Sequence, residues 1–138
     1  MVDIGVHGFI PKVTGDGSAT FYSEEFGEHF HCCNGAYTDA QRNYVDAANI
    51  SELARADNLS ILDVCYGLGY NTAAALDTIQ RVNANCRVTI RALEINVAVA
   101  QAAIAIPSVP LINSTGPTAP TASHLSQPWT PATQELLT

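Results

Sequence analysis

Ile61-Leu62-Asp63-Val64-Cys65-Tyr66-Gly67-Leu68-Gly69-Tyr70-Asn71 is the stretch whose reading decides the fold. A short apolar run ends in an acid, crosses a glycine-spaced turn and opens into an alanine-rich segment. Ser60 to Cys65 reads as a buried strand. Tyr70 to Ala84 reads as a helix, with Ala75, Leu76, Ile79 and Val82 recurring at helical spacing. Nucleotide-type cofactors are commonly held on a strand–turn–helix of this kind. The helix N-terminus offers free N–H groups and the positive end of a dipole, and glycines let a ligand approach the backbone.

Reading outward towards the C-terminus, Asn83-Ala84-Asn85 ends that helix and Arg87 to Leu93 forms a second strand, closed by Glu94. Asn96 can cap a further helix, Val97 to Ala105. The β-α-β-α order predicts a parallel sheet with right-handed crossovers. Towards the N-terminus, Phe9 to Val13 and Ala19 to Ser23 read as strands. The turn chemistry of Thr14-Gly15-Asp16-Gly17-Ser18 joins them into a hairpin. Thr38 is placed to cap a helix over Asp39 to Ala47, and Ser51-Glu52 to start another.

The composition divides the chain into an N-terminal extension, residues 1–58, the start of a Rossmann-like core, residues 59–105, and a tail, residues 106–138. Six of the seven prolines fall in the tail, with Ser and Thr between them, so it reads as loop or disorder. No Asp, Glu, Lys or Arg occurs from Ile95 to Gln134.

The 138 residues hold at most one domain. A net charge of −7 gives no electrostatic footprint for nucleic acid. The four cysteines, Cys32, Cys33, Cys65 and Cys86, fit no zinc spacing and read as reduced thiols of a cytoplasmic protein. No secretory signal opens the chain. The most apolar stretch, Val97 to Ile112, is short and proline-broken for a membrane span.

Three constellations bear on chemistry. The turn departs from a dinucleotide fingerprint, because Cys65 stands at the first glycine position and Thr72 near the third. It matches the looser acid-x-G-x-G-x-G pattern with Cys65 as the one departure. The alternative is a tight turn that holds nothing. Glu94, 25 residues after Gly69, is placed to accept hydrogen bonds from ribose hydroxyls, or else is a solvated strand-end acid. Phe21-Tyr22-Ser23-Glu24-Glu25-Phe26-Gly27-Glu28-His29-Phe30-His31 crowds aromatics, acids and histidines. Aromatic packing around the hairpin accounts for it; a metal site lacks a second ligand cluster, and a general base at His29 or His31 is the remaining option.

Taken in order, these segments resemble the MnmC-like methyltransferase domain, the family that completes 5-methylaminomethyl-2-thiouridine at the tRNA wobble position. The resemblance runs through Asp16-Gly17-Ser18, Thr20-Phe21-Tyr22-Ser23, Glu25-Phe26-Gly27-Glu28, Phe30-His31, Gly35-Ala36, Asp39-Ala40, the Ile61–Asn71 stretch and Leu93-Glu94. It covers about residues 8–105 and looks especially like stand-alone cyanobacterial members. It implies a partial class I, S-adenosylmethionine-dependent α/β fold with a hairpin and helical extension. By that mapping Asp63, Gly67 and Gly69 would surround the methionine end of the cofactor, and Tyr66 would also contact the cofactor. Glu94 would hold the ribose, and Tyr22 and Glu28 would line the same pocket. No catalytic residue is assigned. tRNA is implied as partner, together with a separate FAD-dependent oxidoreductase acting on CH–NH groups, which bifunctional relatives carry in the same chain. The family's Asp-x-Phe-x-Pro stretch does not occur, and only two of seven core strands are legible. The expectation is therefore a chain cut short near Ala105, weak or inactive alone. The alternatives are a non-catalytic remnant or interaction module, and a nucleotide-cofactor oxidoreductase.

Overall fold

The structure, a computed structural model, describes residues 8–105; the tail from 106 to 138, with its expected irregularity, lies outside them. Two sheets and four α-helices make up the described part. The hairpin falls where the turn chemistry puts it: β1 (Phe9–Val13) pairs antiparallel with β2 (Ala19–Ser23), Phe9 opposite Ser23 and Val13 opposite Ala19. A two-residue strand that the sequence reading lacked, β3 (Glu28–His29), adds to the other side of β2. Alternation on the pleat sends Phe9, Phe21 and Phe30 to one face, where their rings meet at 5.2–6.2 Å.

The next segment corrects the helix expected over Asp39 to Ala47. The chain enters α1 (Ala36–Ala40) three residues earlier and continues as a wider π-helical stretch, Gln41–Asp46. Thr38 is inside the helix and caps nothing. Its N–H and its hydroxyl both donate to Asp16 Oδ2, at 2.9 and 2.8 Å. A carboxylate from the hairpin turn, distant in sequence, thus supplies what a local cap would have supplied. Gly35 precedes α1 because a Cβ there would collide with the Asp16 side chain. The short helix α2 (Ile50–Leu53) follows Asn49, which adopts φ 53°, so Ser51 is likewise within the helix rather than before it.

The second unit follows the expected order. β4 (Asn58–Val64) runs parallel to β5 (Arg87–Leu93), with Asp63 opposite Ala92 and Val64 opposite Leu93. Between them lies α3 (Tyr70–Val82); after them, α4 (Val97–Ala105) begins where Asn96 Oδ1 accepts the Ala98 N–H at 2.9 Å. The fold is mixed α/β, consistent with part of a Rossmann-like methyltransferase fold. α3 buries Ala74, Ala75, Thr78 and Ile79. Its small residues admit α1, the π-helical stretch and α2 closely on one side.

One expectation is half right. The sequence pattern predicts a buried strand over Ser60 to Cys65, but Leu62 and Val64 are 63% and 58% exposed, and Leu93 beside them is 46% exposed. Leu59, Ile61 and Asp63 alternate inward. Among the described residues the helices cover only one face of this sheet, so the apolar run is half-buried where a parallel sheet is ordinarily buried on both faces.

Candidate cofactor site

The site is assembled at the C-terminal ends of the two parallel strands, where ligands of open α/β sheets bind. β4 delivers Asp63 to its inner face, only 8% exposed. There Asp63 Oδ2 accepts a 2.6 Å hydrogen bond from the Thr72 hydroxyl in the first turn of α3. The carboxylate thereby fixes where α3 starts relative to β4, and it sits close to the positive end of that helix.

After Val64 the chain reverses over five residues. Cys65 takes φ 61°, a left-handed conformation unusual for a side chain with a Cβ, and its thiol is exposed. The Tyr66 N–H donates to Leu93 O at 2.9 Å, extending the strand pairing one step beyond β4. The Gly69 N–H then closes the turn on Tyr66 O at 2.9 Å. Gly69 has φ 82° and lies under the Tyr66 ring, which a Cβ would strike. Burial, with the negative charge of Asp63 nearby, raises the Tyr66 phenol above its ordinary value, so it stays protonated and able to donate. No side chain caps α3, leaving its first N–H groups facing the turn.

Glu94 completes the arrangement from β5. Its Oε2 accepts the Gly67 N–H and its Oε1 the Asn96 N–H, both at 2.9 Å. Asp63, Tyr66, Gly67, Gly69 and Glu94 are therefore brought together as one turn-and-strand-end unit. Thr72 and Asn96 anchor the two acids; the sequence marks Thr72 only as standing near a missing third glycine and Asn96 only as a helix cap, neither as part of the site.

Tyr22 and Glu28 arrive differently. Tyr22 opposes His29 and packs its ring edge-on at 5.1 Å, whereas Glu28 opposes Ser23. The pleat therefore puts Tyr22 and Glu28 on opposite faces of the hairpin sheet, with Glu28 exposed. The Tyr22 face also carries Thr20 and His31. Thr20 Oγ1 and His31 Nδ1 are 3.1 Å apart, and the His31 ring meets Tyr70, the first residue of α3, at 4.9 Å. The Tyr70 hydroxyl donates to Ala19 O at 2.5 Å. This face of the hairpin is thus docked beside the mouth of the glycine turn. Burial lowers the His31 pKa, against a smaller opposing pull from Asp39, and favours a neutral imidazole.

The charges around the turn are acidic. Asp63 and Glu94 flank it, and neither forms an ion pair among the described residues. Such a pair of acids attracts a cationic group and repels a pyrophosphate. No group of His, Cys, Asp and Glu able to hold a metal occurs among the described residues.

No family model matches the chain, and no curated protein matches it. Among solved structures, the chain is similar to MNMC2 from Aquifex aeolicus. The identity is 36% and the TM-score 0.61. The match covers 64% of this chain and 30% of that one, so the chain spans under a third of the length of the solved structure.

Proposed function

We propose that this chain carries the cofactor-binding part of an S-adenosylmethionine-dependent methyltransferase of the tRNA wobble-uridine family. The observation that carries the reading is the turn itself: a glycine-spaced loop flanked by Asp63 and Glu94, the latter with half of its acceptor capacity unspent. A carboxylate has about four acceptor positions. Two are used by Gly67 and Asn96, which leaves two for a vicinal ribose diol. The acidic surroundings match a cofactor whose amino and sulfonium groups are cationic, and they count against the pyrophosphate of NAD or FAD. The similarity to MNMC2 supports the same assignment.

In this reading Glu94 holds the ribose and Gly67 and Gly69 let the methionine end approach the backbone. Asp63 provides negative charge beside it. Tyr22, on the face that carries His31, borders the same mouth. The cofactor, when bound, supplies a methyl group on a positively charged sulfur; an unprotonated substrate amine placed in line would take it. The chain's own share is to bind and orient. No residue is assigned as base, and tRNA and a separate CH–NH oxidoreductase remain proposals drawn from the family resemblance.

Calorimetric titration with S-adenosylhomocysteine tests this. Binding by the chain, lost in Asp63→Ala at an unchanged circular-dichroism spectrum, is the expected result. A chain that melts cooperatively yet gives no heat of binding would overturn it and favour a non-catalytic interaction module.

A further inference from the structure

The two hydrogen bonds of Glu94 have a function before any ligand arrives. Glu94 is the first residue after β5, and Gly67 lies 27 positions earlier in the turn after β4. One carboxylate therefore clamps the glycine turn with Oε2 and the start of α4, through the Asn96 N–H, with Oε1. Nothing else among the described hydrogen bonds holds the Gly67 N–H. A backbone N–H left without a partner would let a turn of two glycines sample other conformations, since glycine pays little to leave any one of them.

We propose that Glu94 is a positioning residue for the turn as well as the group that faces the ribose, so that one side chain couples the two ends of the cofactor site. The coupling rests on the function proposed above; the clamp itself rests only on the geometry. Because the two N–H donors and the two hydroxyls of a diol together number the acceptor positions of one carboxylate, the ribose binds without releasing the turn. The turn is then already shaped for the methionine end, and the ordering cost of binding is reduced.

Amide hydrogen exchange on the full chain, read residue by residue by NMR, tests the clamp without any ligand. Glu94→Gln keeps the size but offers one acceptor oxygen in place of two, so at least one of the two amides loses its partner. Exchange at Gly67 or Asn96 is expected to quicken about tenfold or more, while the Ser18 amide, held in the hairpin by Asp16, is unchanged. Glu94→Asp, too short to span both donors, should behave alike. Equal exchange at Gly67 and Asn96 in wild type and both variants would overturn the inference. So would a uniform quickening that includes Ser18, which would assign Glu94 to overall stability. With S-adenosylhomocysteine added to the wild type, Gly67 should stay protected and the variants should bind more than tenfold more weakly. Deprotection of Gly67 on binding would refute the shared carboxylate. Failure of the wild type to bind would refute the proposed function, and the ligand-free exchange would still decide the clamp.

Discussion

Removing the negative charge of Asp16 is expected to loosen the hairpin from the helices that pack on α3. Asp16 sits in the turn between β1 and β2. Its Oδ1 accepts from the Thr14 hydroxyl at 2.9 Å, from the Ser18 N–H at 2.9 Å and from the Ser18 hydroxyl at 2.5 Å. Its Oδ2 accepts the N–H and hydroxyl of Thr38 in α1. Burial alone would raise its pKa. The hydrogen bonds from Ser18 and Thr38 outweigh that and hold the carboxyl well below the usual carboxylate range. In Asp16→Asn the oxygen can keep the turn bonds, but the amide nitrogen then faces the Thr38 N–H. A hydrogen bond to a charged group contributes roughly 1.5–3 kcal/mol. With one N–H orphaned, the others weakened and solvent screening at this partly exposed site, the loss comes to about 2 kcal/mol. For a unit of this size that lowers Tm by roughly 8–16 °C. The depressed pKa fixes the sign of the pH effect. The stability Asp16 contributes is complete above its unfolded value, near 4, and is lost as pH falls through the lower folded value. The gap between wild type and Asp16→Asn should therefore be flat from pH 7 to about 5 and shrink below about 4. Urea unfolding at a series of pH values measures it. A gap under about 0.5 kcal/mol at pH 7, or one that does not narrow in acid, would refute the account.

Other outcomes follow from the same geometry. Gly69→Ala, which needs a left-handed backbone and strikes the Tyr66 ring, should cost about 2 kcal/mol or more in urea unfolding and abolish S-adenosylhomocysteine binding in calorimetry. Tyr70→Phe removes the bond to Ala19 O and should lower stability by about 1 kcal/mol without altering the far-ultraviolet circular dichroism. Because burial lowers the His31 pKa, the folded chain binds a proton there less readily than the unfolded chain. Stability should fall as pH drops below about 6.5, a slope that His31→Gln flattens in thermal melts. Thr72→Val leaves the buried Asp63 carboxylate without its hydroxyl partner and should cost about 1–3 kcal/mol by the same measure.

Much of this architecture was legible because it is local. Val13 and Ala19 bound a turn whose Gly and Asp residues dictate a hairpin, and Asn96 announces α4 by the cap it makes. The parallel pairing of β4 and β5 follows from the helix between them. What could not be read depends on partners far along the chain. Thr38 looks like a helix cap until Asp16, 22 residues earlier, takes its N–H; the helix then starts at Ala36. Glu28 and Tyr22 look equivalent in the sequence, and only the addition of β3 to β2 puts them on opposite faces. Glu94 was legible as the acid that closes β5, but its grip on Gly67 was not, since spacing reveals which residues meet and not which lone pairs are left over.

The site and the sheet beneath it differ in completeness, and physics explains why the site can be formed all the same. Leu62, Val64 and Leu93 stay exposed on the outer face, as do Ile95 and Val97 just beyond it. That apolar surface would contribute about 25 cal/mol per Å² if covered, and here it contributes little. The glycine turn does not draw on it. It is fixed by short polar contacts: Thr72 to Asp63, Gly67 and Asn96 to Glu94, and Tyr66 to Leu93. Each joins elements adjacent in space at the C-terminal ends of the strands. The geometry proposed for cofactor recognition is thus carried by the strand, turn, helix and strand from Asn58 to Leu93, a βαβ unit. Holding and orienting a second substrate would draw on surface beyond it.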